Sequence, residues 1–244
     1  MRLSSIKVGG RCVIALRSGR DLVDLSAADH GLPGELALLL EQWPTVGERL
    51  SELALAPPSA ALVHETDIEW LPPIPRPGKL LCLGLNYADH AAESRYEKPA
   101  WPVLFARFAS SLIGHRAPLV APSVSPQFDY EAELAVIIGR HGRAVPPDRA
   151  LHLVAGYSIF NDGSVRDYQF KSHQWTADKN FDGTGAFGPE LATADELPSG
   201  AKGLRIATKL NGEIVQDANT SDMIFDVAET IALVSETMSL ERAR

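Results

Sequence analysis

Hydrophobic and polar positions fall into two textures along the chain. In the first, residues 11–16 (RCVIAL) form an apolar run that turns at Ser18-Gly19 and returns through residues 21–25 (DLVDL), the pattern of a hairpin. Residues 33–43 (PGELALLLEQW) follow with helical character, and Leu36, Leu38, Leu39 and Leu40 supply the apolar side. More helix-like sequence leads to residues 71–79 (LPPIPRPGK), where four prolines in a short span predict an extended connector. From Lys79 onward the texture is one of short apolar runs punctuated by Gly and Pro. Strands are predicted at residues 79–84, 103–107, 132–139, 153–160 and 204–210, the last turning at Asn211-Gly212 and returning through 213–218. Short helices fit residues 86–94 and 163–171. A longer one fits 223–238, where Met223, Val227, Ile231, Val234 and Met238 recur at three- and four-residue steps. The pattern predicts a β-rich α+β protein with a small N-terminal domain (1–70), a linker (71–78) and a main domain (79–244).

Composition narrows the function classes. Hydrophobic residues make up 45% of the chain and charged residues 22%, as in a soluble globular protein. The formal net charge of -8 gives no basic face for a nucleic-acid backbone, so nucleic-acid partners are not expected. The N-terminus lacks the apolar core of a signal peptide and no run approaches membrane-spanning length, which points to a cytoplasmic protein without a membrane partner. Cys12 and Cys82 both lie in apolar runs and read as buried reduced thiols, with a disulfide between them as the alternative.

Four short stretches carry candidate chemistry. In 128–140 (FDYEAELAVIIGR), Asp129, Glu131 and Glu133 stand two apart before an apolar strand, so their side chains share one face. Either that face is a solvated edge, or a divalent cation such as Mg²⁺, Mn²⁺ or Ca²⁺ offsets the clustered charge. Asp162 follows the next strand as a further ligand or as a helix cap, with Ser164 and Asp167 in capping-box spacing. His90 and Glu93 are three apart on a predicted helix, the geometry of an imidazole oriented by a carboxylate, or of a surface histidine with an acidic neighbour. Lys179 lies in a glycine-rich segment between Trp175 and Phe181, either to steady an oxyanion or as a solvated loop lysine. The phosphate-binding and nucleophile-elbow motifs of nucleotide-binding proteins and serine hydrolases are absent from the sequence, and the cysteines lack zinc spacing.

Five segments in order, 79–94 (KLLCLGLNYADHAAES), 129–140 (DYEAELAVIIGR), 156–169 (GYSIFNDGSVRDYQ), 175–189 (WTADKNFDGTGAFGP) and 211–225 (NGEIVQDANTSDMIF), resemble the fumarylacetoacetate hydrolase family. The resemblance runs from Lys79 to the end of the chain. It implies a mixed β-roll catalytic domain, usually a homodimer, holding a Mg²⁺-type ion on three carboxylates. Carried over position by position, these are Glu131, Glu133 and Asp162. His90 and Glu93 match the family's water-activating pair, Lys179 its lysine, and Arg166 and Gln169 its substrate-binding positions, while Asp129 has no fixed role. The implied reaction is C–C bond hydrolysis in a β-diketo or acylpyruvate-type 2-oxo acid through a metal-stabilised enolate. Decarboxylation, isomerisation and hydration are the alternatives among relatives.

The chain departs from the family pattern at three places. Val165 replaces an alanine, Asp178 replaces a glycine beside Lys179, and the family's T-G-T-P loop and closing strands do not appear before Arg244. A carboxylate at 178 is expected to pair with Lys179. The shortened end leaves two further readings, a catalytically impaired family member and a plain interaction module without metal.

Overall fold

The computed structural model describes residues 1–87 and 100–243. Its first apolar runs form an antiparallel meander of β1 (Arg2–Val8), β2 (Arg11–Ser18) and β3 (Asp21–Asp24). The β2–β3 hairpin is the predicted one, closing with Ser18 opposite Asp21 and Gly19 at φ 60°. β1, which the pattern did not single out, pairs with β2 from Leu3 to Val8. Cys12 is exposed rather than buried, because it lies at the solvated start of β2, before the buried run 13–16. Cys82 is half-buried, and both thiols are free.

Asp24 caps α1 (Leu25–Ala28), its side chain accepting from the backbone N–H groups of Ser26 and Ala27. The expected single helix over 33–43 is instead α2 (Leu36–Glu41) followed after Gln42 by α3 (Trp43–Leu55), with Pro44 in the first turn of α3. Leu36, Leu39 and Leu40 of α2 enter the core, whereas Leu38 is exposed because two positions turn a helical side chain to the opposite face. β4 (Leu62–Val63) adds to β3, and β5 (Ile68–Trp70) adds to β1. The proline-rich connector has no helix or strand, as expected, yet it is held tightly. The Leu71 N–H donates to Ser5 O at 3.0 Å, Ser5 Oγ donates to Pro73 O at 2.9 Å, and Ile74 is buried.

The second texture supplies β6 (Leu81–Gly84), β7 (Val103–Ala106), β8 (Leu112–Ile113), β9 (Phe128–Asp129) and β10 (Ala132–Ile138). After α4 (Pro147–Ala150) come β11 (Val154–Asp162), β12 (Ser164–Val165), α5 (Arg166–Gln169) and α6 (Thr176–Lys179). β13 (Gly185–Phe187), β14 (Leu191–Thr193), β15 (Arg205–Leu210), β16 (Glu213–Asn219) and α7 (Val227–Thr237) complete the described order. The β15–β16 hairpin turns at Asn211-Gly212 with φ 51° and 90°, the left-handed pair that a two-residue turn requires.

A ten-stranded sheet runs β4-β3-β2-β1-β14-β11-β13-β8, with β10 added on β11 and β5 on β1. β1 joins the two textures, pairing Arg2 with Ala192 and Leu3 with Leu191. One hydrophobic core accordingly contains Leu3, Leu16 and Leu39 together with Ile137, Phe160, Phe187 and Leu191. A second core seats Val227, Ile231 and Val234 of α7 against Leu153, Tyr157 and Leu240. α7 is shorter than the periodicity over 223–238, because Asp226 and Glu229 form a capping box that starts it.

Two further helix expectations change. Asn86 and Tyr87 are not helical: the Asn86 side chain bonds both the N–H and the C=O of Phe225, and Tyr87 bridges Met223. Residues 88–94 lie outside the described residues. Ser164 and Asp167 make no capping box, since Ser164 belongs to β12 and the cap of α5 is Val165 without a side-chain bond.

Candidate functional site

The acidic strand start and the end of β11 lie side by side in register. The Asp162 N–H donates to Glu131 O at 2.9 Å, which continues the ladder in which Glu133 faces Phe160. One step further, Asp129 of β9 faces Ser164 of β12. Alternation therefore places Asp129, Glu131 and Glu133 on the same face as Ser164, Asp162 and Phe160.

Lys179, the last residue of α6, closes this face from above. It is 2% exposed and therefore no solvated loop lysine. Its Nζ donates to Glu131 Oε2 at 2.8 Å, Asp162 Oδ2 at 2.6 Å and Ser164 Oγ at 2.7 Å, so all three ammonium donors are used. Asp178 is not its partner. The Asp178 carboxylate is fully buried with neither oxygen hydrogen-bonded among the described residues, and burial pushes it up. Asp162 is no helix cap: its other oxygen accepts from Arg107, just after β7, in an ion pair shielded from water. Arg166 covers the outer end, donating to Asp129 Oδ2 at 2.8 Å and Glu131 Oε1 at 2.6 Å, and to Gln169 Oε1 at 3.2 Å. Glu131, Glu133, Asp162, Lys179, Arg166 and Gln169 are thus brought together or linked in one chain of contacts, apart from Glu133, which the ladder alone brings. His90 and Glu93 lie outside the described residues.

The electrostatics divide the three carboxylates. Burial favours the neutral form of Glu131, but the Lys179 ammonium and Arg166 guanidinium outweigh it and hold this carboxyl below its ordinary range. Glu133 makes no hydrogen bond or ion pair among the described residues. Burial, then the charges of Asp162 and Glu131, push it up to about 8. Burial also acts against the charge on Lys179, yet Asp162 and Glu131 raise it, so its ammonium persists at neutral pH. Beyond Glu133, Tyr87 is pushed up to about 12, by burial first and by Glu133 second.

Among the described residues no three His, Cys, Asp or Glu side chains converge as a ready metal centre. The reason is local, because the Lys179 ammonium stands between Glu131 and Asp162 where another cation would be drawn. The donor set still fits a hard divalent ion: carboxylate oxygens of three residues, one of them lacking a cation partner among the described residues. Arg107 and Thr184 were not singled out in the sequence, and Ser164 was read there only as a helix cap. Arg107 carried one readable signal, a charge closing the apolar run VLFAR, which a buried strand accepts only with a partner.

The family described as fumarylacetoacetate (FAA) hydrolase C-terminal matches residues 79–243. The mitochondrial oxaloacetate tautomerase of Rattus norvegicus is 36% identical over 223 residues, 91% of this chain and 70% of that protein. The solved fumarylacetoacetate hydrolase of Exiguobacterium antarcticum superposes with a TM-score of 0.81 at 31% identity, over 99% of this chain and 83% of that one. Maleylpyruvate hydrolase from Sphingobium sp. SYK-6 superposes with a TM-score of 0.82 at 25% identity, over 100% and 86% of the two chains. That enzyme has also been solved with manganese(II) and pyruvate, a comparison at 24% identity that bears on the fold alone. The chain is a member of the fumarylacetoacetate hydrolase family of enzymes.

Proposed function

We propose that the protein moves a proton on a small 2-oxo acid, interconverting the keto and enol forms of a 2-oxo dicarboxylic acid such as oxaloacetate. Glu131, Glu133 and Asp162 would hold a divalent cation, Mg²⁺ or Mn²⁺. The observation that carries this reading is the row of carboxylates closed by a buried, protonated lysine. When bound, such an ion supplies a Lewis acid that polarises the keto group beside the substrate's carboxylate. Lys179 keeps a proton at Nζ and offers positive charge to an oxygen that becomes anionic as the enol forms. Arg166, half-buried at the outer end, presents a planar fork suited to a second carboxylate of the substrate.

Tautomerisation moves one proton from carbon to the keto oxygen: a carboxylate of the row would take it from carbon and a proton would be returned to the oxygen, with no activated water consumed. The likeness to the oxaloacetate tautomerase of Rattus norvegicus supports this choice. C–C hydrolysis of an acylpyruvate-type substrate is the second reading, favoured by the likeness to maleylpyruvate hydrolase. It would need a base for water, the role that the family resemblance gives to His90 held by Glu93. The test follows the enol absorbance of oxaloacetate, and the consumption of an acylpyruvate, with Mg²⁺ or Mn²⁺ present. Tautomerase activity lost in Glu131→Ala and kept in His90→Ala supports the first reading. Acylpyruvate cleavage lost in both variants supports the second. Turnover of neither substrate with either cation overturns both.

A further inference from the structure

Asp162 is held by two cations of different kinds. Lys179 shares its ammonium among Glu131, Asp162 and Ser164. Arg107 pairs with no other carboxylate among the described residues. Its remaining donors go to neutral groups: Nη1 to Gly163 O at 3.2 Å, Nη2 to Thr184 Oγ1 at 2.9 Å and Nε to Ser111 Oγ at 3.3 Å. The guanidinium carbon lies 5.3 Å from the centroid of the Phe160 ring. On another side a Cβ at Gly185 would stand 2.9 Å from Nη2, so only glycine leaves room for the fork there. Arg107 is 2% exposed. Every side of this guanidinium that the contacts define is fixed.

If Asp162 needed only a neutralising charge, Lys179 already supplies it at 2.6 Å. What Arg107 adds is direction. A planar fork anchored on neutral partners binds one carboxylate oxygen in a set orientation, which a flexible ammonium does not. We propose that Arg107 is the positioning residue of the carboxylate row: it fixes Oδ1 of Asp162 so that Oδ2 is presented toward Glu131 and the cation site. The metal arm of this inference rests on the function proposed above, and the orientation arm does not.

Two variants separate direction from charge. Arg107→Lys keeps the charge and removes the fork, and Thr184→Val keeps the guanidinium and removes one anchor. Titration calorimetry of the metal-free protein with Mn²⁺ is expected to show binding about 10- to 100-fold weaker in Arg107→Lys, as for other residues that orient a ligand from behind. Thr184→Val is expected to weaken binding in the same sense by less. A crystal structure of Arg107→Lys is expected to show the Asp162 carboxylate rotated. A purely structural role would lower the melting midpoint and leave the Mn²⁺ dissociation constant unchanged, which overturns the proposal. If the unsubstituted protein binds no Mn²⁺, the metal reading has failed and the orientation arm decides alone: an unrotated Asp162 in Arg107→Lys then overturns it. If Arg107→Lys does not fold, the same two measurements on Thr184→Val decide, and wild-type affinity with an unrotated Asp162 overturns it.

Discussion

Replacing Lys179 with methionine keeps most of the side-chain volume and removes the one cation that Glu131 and Asp162 share. A buried and a half-buried carboxylate then face each other with one fewer cation, and breaking a buried pair costs up to about 3–5 kcal/mol. The melting midpoint of Lys179→Met should fall sharply, and millimolar Mn²⁺ should raise it more than it raises the wild type, since a divalent ion replaces the lost charge. Equal shifts in the two proteins would contradict this account. Glu133 gives a prediction in pH. Its carboxyl is raised to about 8 when folded, so the folded state keeps a proton that the unfolded chain releases near the ordinary carboxylate value. Stability from this group is full below that ordinary value and is lost as pH rises through about 8. Metal-free wild type should therefore lose thermal stability across that window, and Glu133→Gln should flatten the loss. Glu131, held low, runs the other way and acts only at more acid pH, as its pKa direction requires. At this scale the sequence was informative about which groups meet, because carboxylates spaced by two residues share a face in a strand. It left Lys179 open between an oxyanion-steadying group and a solvated loop lysine, because its glycine-rich surroundings did not show that α6 buries it.

Among the elements, α7 shows how a local signal sets a boundary. The periodicity of its apolar positions began at Met223, but the helix starts after Asp226, whose side chain accepts from the Glu229 N–H while Glu229 accepts from the Asp226 N–H. The D-x-x-E pattern was present in the sequence and outranks periodicity at a helix start. Asp226→Ala should cost about 1 kcal/mol, seen as a lower urea midpoint with an unchanged slope. Gly163, between β11 and β12, is less tolerant. A Cβ there would lie 2.2 Å from Thr184 O, a backbone atom that cannot step aside. Gly163→Ala should destabilise by about 1–3 kcal/mol. It should also weaken Mn²⁺ binding, because the shift falls between Asp162 and Ser164. A variant with wild-type stability would show that the β13 end yields freely. The pairing of Glu131 with Asp162 follows from two neighbouring strands and was within reach of pattern reading. The pairing of Leu3 with Leu191 was not, because nothing local in either strand specifies a partner at the other end of the chain.

At the scale of the whole molecule, that distant pairing makes one sheet out of two textures, and it leaves an edge. In β10, the 131–162 bonding step means that residues 133, 135 and 137 bond β11, and 132, 134 and 136 point their backbone groups outward. Gln216 satisfies Ala132 at one end of this outer edge, accepting from its N–H at 2.8 Å and donating to its C=O at 3.1 Å. Ala243 N donates to Ile138 O at 2.8 Å at the other end. Between them the outward groups of Leu134 and Val136 have no partner among the described residues. They border an apolar cavity of about 310 Å³ lined by Leu81, Leu83, Phe225 and Ile231 among others. No helix among the described residues is long and apolar enough to cross a membrane. An unpaired edge beside apolar side chains is a template for adding a further strand. On gentle heating at rising protein concentration, light scattering should grow before the core unfolds, as judged by near-UV circular dichroism. Val136→Lys places a charge beside that edge and should delay the scattering relative to loss of the core, while the lost packing of Val136 against the second core lowers the unfolding midpoint. Scattering that instead coincides with loss of the core in both proteins would assign the association to unfolded chains and not to this edge.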